Sequence, residues 1–216
     1  MYSAGPDMHD QLDLDALRRF ITTWDWRVNS VGFYGGEVTL QLAAYKSICD
    51  MLPAGLQRWM FSNGTWSAGP SERIHEVIQW TIDNRVSPII VSGTRYHQPY
   101  QDWAVLESLA RTWPEHIWLK ADEGHYLPMG RLAGLMPFSC KRRCETDARP
   151  MRIAVQPDGS VIFQTCDGRY PVIGDITAGF PELADRCTGV RENYCRAAEV
   201  GDFDAMDGTV DSETLA

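Results

Sequence analysis

The chain has 216 residues, 44% of them hydrophobic, enough for one compact domain with a small appendage and a sizeable core. Its formal charge of -9 is concentrated at the end, where Glu199, Asp202, Asp204, Asp207, Asp211 and Glu213 occupy a stretch without Lys or Arg. There is no basic stripe, no run of about 18 apolar residues and no basic-then-apolar start, so the reading is of a soluble, cytoplasmic protein that binds neither nucleic acid nor membrane.

Taken in order, the chain alternates helical and extended patterns. Leu14, Leu17, Phe20, Ile21 and Trp24 recur at helical spacing, and Val28 to Tyr34 then reads as a strand. A helix carrying Leu42, Tyr45, Ile48, Cys49 and Leu52 comes next, and after Pro53-Ala54-Gly55 a strand runs from Leu56 to Ser62. Ser71 is the expected N-cap of a helix with Ile74, Val77, Ile78 and Ile82 inward. Ser87 to Ser92 reads as a buried strand, Trp103, Leu106, Leu109 and Ala110 as a helix, and Ile117 to Lys120 as a short strand. Strands separated by helices of this length imply right-handed crossovers and a parallel sheet, either doubly wound or part of a (β/α) barrel. From Met151 the texture changes to a β-hairpin, with Met151 to Val155 and Val161 to Thr165 on either side of Pro157-Asp158-Gly159.

In parallel α/β folds, function gathers at the carboxyl ends of strands. Here those ends carry Gly35-Gly36-Glu37, then Asn63-Gly64-Thr65, then Ser92-Gly93-Thr94, then Lys120-Ala121-Asp122-Glu123. Further on stand Pro128-Met129-Gly130-Arg131, Cys144, Pro157-Asp158-Gly159, Cys166 and Ile173-Gly174-Asp175-Ile176. In this order, from about Leu14 to Ile176, the motifs resemble the radical S-adenosylmethionine family with an auxiliary-cluster extension of the SPASM or Twitch kind. The resemblance implies a partial (β/α) barrel with a small cysteine-containing β-hairpin. It assigns Gly35, Gly36 and Glu37 to the amino group of the cofactor S-adenosylmethionine, Ser92 and more weakly Thr94 to its ribose, and Asn63 to the inner rim. The acid usual at the position of Thr94 is absent, and Asn63-Gly64 reads equally well as a tight turn with positive φ. Arg131 either meets the cofactor carboxylate or caps a helix.

One departure limits the resemblance. The family's chemistry needs three cysteines spaced C-x3-C-x2-C to hold a 4Fe-4S cluster with one open iron, and the sequence contains no such triplet. The start, Tyr2-Ser3-Ala4-Gly5-Pro6, resembles the stretch just after the third cluster cysteine in that family, so the expectation is an N-terminally truncated enzyme, inactive in this form, with a barrel open at its missing first strand. A partner chain would then supply that strand, because an uncovered parallel edge invites pairing. Five of the six cysteines lie from Cys140 onward. Cys140, Cys144 and Cys166, closed by Cys187 or Cys195, form a candidate set for an auxiliary iron-sulfur cluster, with zinc as a competitor and plain thiols as the third reading. Cys49 sits at an apolar helical position and reads as core.

His97 comes after the Ser92 strand end and reads as a substrate-facing or a plain loop histidine. Asp122, Glu123 and His125 lack the helical spacing of a metal motif. The expected organisation is a barrel core over residues 1–135, a cysteine-containing extension over 136–196 and an acidic tail over 197–216. Two functions are expected: a radical S-adenosylmethionine enzyme modifying a peptide or small molecule, or a non-catalytic scaffold that binds a peptide or carries a cluster.

Overall fold

The computed structural model describes residues 12–121, 153–163 and 171–189. They divide into two compact units: one spans residues 26–121, and the other joins residues 12–25 to the two later segments. In chain order the elements are α1 (Leu14–Thr22), β1 (Ser30–Phe33), α2 (Leu42–Met51), β2 (Gln57–Ser62), α3 (Ser71–Asp83), β3 (Val86–Gly93), α4 (Trp103–Thr112), β4 (Ile117–Ala121), β5 (Ile153–Val155), β6 (Ser160–Phe163), β7 (Val172–Asp175) and a closing helix α5 over residues 180–189.

The first unit is a four-stranded parallel sheet in the order β1-β2-β3-β4. Strand order matches chain order, so there is no reversal of winding among these strands. The strands alternate as a half-covered sheet requires. Phe33, Met60, Ile89, Val91 and Ile117 are at most 4% exposed, whereas Trp59, Phe61, Ile90 and Trp118 on the other face stay partly or largely open. All three helices of the unit pack on the buried face. Tyr45 of α2 lies edge-on to Phe33, and a Cβ added at Gly93 would meet Trp103 of α4 at 2.5 Å. Arg58 of β2 donates to Leu52 O at 3.2 Å and Asn84 O at 2.9 Å, past the ends of α2 and α3. That buried guanidinium occupies the negative end of both helix dipoles.

Two details of α3 differ from the sequence reading. Pro70, with φ -64 and ψ 157, takes the cap position and Ser71 is the first helical residue, because Pro has no N–H to leave unpaired and its ring presets the turn. Ile82 is 52% exposed, and Thr81 is the inward residue. The helical step from Val77 and Ile78 brings position 81 back to the sheet, where Thr81 bonds Ile78 O and His116 Nε2.

The second unit is a three-stranded antiparallel sheet, β5-β6-β7, with α1 and α5. The hairpin reading holds: Ile153 pairs with Phe163 and Val155 with Val161. Asp158 Oδ1 accepts from Ser160 N at 2.9 Å, and Gly159 takes φ +86, as a tight turn needs. Helix α1 is capped by Asp13, whose side chain accepts from Asp15 N and Ala16 N, and it buries Ala16, Leu17, Phe20 and Ile21. Phe20 lies 6.5 Å from the Phe180 ring, and Thr23 Oγ1 accepts from Phe180 N at 2.8 Å. Phe20 is 2% exposed. Phe20→Ala should therefore destabilise the second unit by about 3–5 kcal/mol, in the range of large-to-small core changes. Amide exchange should show β5–β7 losing protection while β2 and β3 keep theirs; unchanged protection in the hairpin would contradict the packing.

Candidate functional site at the strand ends

The register of the parallel sheet orders the open face into rows. Phe61 stands opposite Ile90, and Ile90 opposite Trp118. Tyr34, one residue beyond the last paired position of β1, extends this row, its ring 5.1 Å from that of Phe61. Two residues further toward the carboxyl ends come Gly36, Asn63, Ser92 and Lys120. Ser92 and Lys120 are register partners, and Asn63 Nδ2 donates to Gly36 O at 2.9 Å. An apolar row, Tyr34-Phe61-Ile90-Trp118, thus lies directly below a polar row, Gly36-Asn63-Ser92-Lys120. On β3 and β4 the two rows are about 6.6 Å apart, two residues of extended chain, while Gly36 and Asn63 follow the ends of β1 and β2.

Glu37 turns the other way. Its Oε1 accepts from Thr39 N at 3.1 Å, Thr39 Oγ1 at 2.8 Å and Ser62 Oγ at 3.0 Å, and its Oε2 accepts from Asn63 N at 2.6 Å. Four donors meet the roughly four acceptor positions of one carboxylate. Ser62 Oγ in turn accepts from Gly64 N and Trp66 Nε1, both at 2.9 Å. Gln101 Nε2 bridges the next pair of strand ends, donating to Asn63 O at 2.6 Å and Ser92 O at 2.8 Å. Arg73 of α3 donates to Thr39 O and pairs with Glu76. The ends of β1, β2 and β3 are therefore tied by hydrogen bonds that run through side chains.

Glycine at two positions serves different ends. Gly64 has φ +69 and an added Cβ would meet Val91 Cγ1 at 2.7 Å, so both backbone and space demand glycine. A Cβ at Gly36 would meet nothing within 4 Å. Gly36 is open space on the polar row.

Electrostatics follow from burial. The Tyr45 hydroxyl, donating to Tyr34 O at 3.0 Å, is pushed above its usual range first by desolvation and then by the negative charge of Glu37. His97, whose Nδ1 lies 3.0 Å from Thr94 Oγ1, is pushed below its usual range by desolvation, against an opposing pull from Glu37 and the Ser92 backbone. His116 is pushed down by desolvation as well.

Of the residues singled out from the sequence, Gly35, Gly36, Glu37, Asn63, Ser92 and Thr94 gather at the carboxyl ends of β1, β2 and β3. Thr94 is engaged with His97. Cys187 lies in α5, in the other unit, and is 0% exposed. Arg131, Cys140, Cys144, Cys166 and Cys195 lie outside the described residues, as do Asp122, Glu123 and His125. Among the described residues no three His, Cys, Asp or Glu side chains converge as a metal set, and no helix is long and apolar enough to cross a membrane. Cys49 is buried, with its thiol pushed up by desolvation. The sequence reading missed Lys120 and the aromatic row as site features, although the two-residue step from Trp118 to Lys120 was there to place both on one face.

Two outcomes are expected. Glu37→Ala strands the Asn63 and Thr39 amides and should cost roughly 2–3 kcal/mol in urea unfolding, with Glu37→Gln recovering part of it; an unchanged midpoint for Glu37→Ala would show the clip to be dispensable. His97 and His116 titrate lower in the fold than the ordinary 6.5, so the unfolded chain takes up their protons first and stability is lost as pH falls below about 6.5. Unfolding free energy measured from pH 7.5 to 5.5 should decline, and the decline should shrink in a His97→Gln, His116→Gln double variant. No protein-family model matches the chain, and no curated protein matches it.

Proposed function

We propose that the first unit is the ligand-binding portion of a radical S-adenosylmethionine-type (β/α) barrel, with the cofactor seated at the carboxyl ends of β1 to β3. The observation that carries this reading is the gathering of Gly36, Asn63 and Ser92 on one polar row of an open, singly wound parallel sheet. A barrel winds in chain order, as these strands do, whereas a doubly wound sheet reverses at a switch point. The fit of the cofactor rests on Gly36: open space where a side chain would stand lets a ligand reach the Gly35-Gly36 backbone. Asn63 and Ser92 would line its path. Glu37 contributes by fixing the rim, since its acceptor positions are filled from within the chain.

When bound beside a reduced iron-sulfur cluster, S-adenosylmethionine supplies radical chemistry, and the sequence has no C-x3-C-x2-C triplet to hold that cluster. The chain by itself is therefore read as a binder whose catalysis depends on further polypeptide, and the substrate as a peptide or small molecule. The candidate thiolate set Cys140, Cys144, Cys166, Cys187 and Cys195 would carry an auxiliary cluster or zinc in the extension. A second reading, a non-catalytic scaffold, is favoured by the internal saturation of Glu37.

Calorimetric titration of the full chain with S-adenosylmethionine tests the first reading. Saturable binding is expected, weakened at least about tenfold in Gly36→Ala, whose added Cβ meets nothing within 4 Å and should leave the unfolding midpoint unchanged. Absence of binding, or equal binding by the variant, leaves the scaffold reading.

A further inference from the structure

The polar row ends in a feature the cofactor reading does not use. Lys120 stands exposed on the open face, beside Ser92 and two residues past Trp118, and makes no ion pair among the described residues. Trp118 is 52% exposed on the same face, with Ile90 as its register partner. We propose that this β3–β4 half of the face binds an aryl-alkyl carboxylate, with the ring laid on Ile90 and Trp118 and the carboxylate held by Lys120 Nζ and the Ser92 hydroxyl.

Three physical points select that class. The eight described positions of the two rows are Tyr34, Phe61, Ile90, Trp118, Gly36, Asn63, Ser92 and Lys120; among them Lys120 is the one charged residue, and on the β3–β4 side, away from the Glu37 carboxylate whose acceptor positions are filled from within the chain, it favours an anion over a cation. A single ammonium with one hydroxyl suits a monoanionic carboxylate; a phosphate would call for more donors or a guanidinium fork. The apolar and polar rows are about 6.6 Å apart, and a three-carbon acid arm spans a similar length, on the order of 5 Å from ring centre to carboxyl carbon. Aromatic stacking on Trp118 fixes the ring, and the charge fixes the orientation.

The inference names a substrate class for the face on which the proposed function rests, but it does not require the cofactor. The test uses the full chain and 3-phenylpropionate alone, followed by tryptophan fluorescence and ligand-observed NMR, with neutral 3-phenylpropanol as the control. Saturable binding of the acid is expected, weakened by added salt and at least about tenfold by Lys120→Met, with the alcohol unaffected by that variant. Lys120 is exposed, so the variant should unfold at the same urea concentration as the parent. Equal binding of acid and alcohol, no loss in Lys120→Met, or no saturable binding of the acid would each overturn the proposal. So would a concentration-dependent dimer, seen by sedimentation and abolished by Trp118→Asp, in a protein that ignores the acid, because the face would then belong to a second copy. Binding of 3-phenylpropionate without binding of S-adenosylmethionine would remove the cofactor reading and leave this one standing; the reverse result would do the opposite.

Discussion

One carboxylate sets the geometry of the strand ends. Glu37 stands after the last residue of β1, yet three of its hydrogen bonds reach Thr39 and Asn63 amides and the Ser62 hydroxyl, so it fixes the end of β1 to the end of β2 and starts the turn that leads into α2. A half-buried charge with each acceptor position filled is held far more tightly than one that shares its partners with water. Gln101 repeats the device between β2 and β3 through their carbonyls. Strand ends are where a sheet runs out of ladder bonds, and these side chains continue the pairing past that point. At the opposite end of the strands, Arg58 does the same work with the reverse sign, collecting carbonyls from Leu52, Pro53 and Asn84.

This arrangement separates structure from access. Glu37, Ser62 and Gly64 serve the helix-covered side, and their substitution is a matter of stability. Gly36, Asn63, Ser92 and Lys120 serve the open side, where little packing would be lost by change. Gly35 and Gly36 illustrate the division at adjacent positions. A Cβ at Gly35 would come to 3.0 Å from the Tyr45 hydroxyl, whereas at Gly36 it would stand clear. The paired glycine motif is thus one packing residue and one residue that leaves room.

The elements were legible in the sequence because each is patterned locally. The β3 and β4 strands, the α4 periodicity and the Pro157-Asp158-Gly159 hairpin all rest on neighbours within a few residues. The same local logic misplaced Ser71, where the neighbouring proline outcompetes serine for the cap, and Ile82, where an apolar residue falls just past the stripe. The gathering of Gly36, Asn63 and Ser92 was legible only as an order of motifs; their shared row depends on register, which no single strand encodes. Least legible was the direction of Glu37. Its donors at Ser62 and Asn63 lie 25 and 26 residues away, and a lone Gly-Gly-Glu gives no hint whether the carboxylate faces a ligand or the chain itself. Lys120 stood among the strand-end residues without distinction, because a lysine at a strand terminus is ordinary until its row is known.

The bond from Phe180 N to Thr23 Oγ1 joins residues 157 apart. The whole of the parallel sheet is encoded between them. On the ribosome, β1 to β4 and their helices can assemble in sequence, each strand pairing with the one made just before it, so that unit needs only near neighbours in the chain. Among the described elements, helix α1 is made first and completed last. Among the described residues its apolar stripe of Leu17, Phe20 and Ile21 has no second-unit partner until residues 153–189 have been synthesised, and closing so long a loop carries an entropic cost that local contacts do not offset early. Between those two events the stripe of α1 lacks its Phe180 contact, and an apolar stripe left uncovered for that interval is the exposure that favours unwanted association.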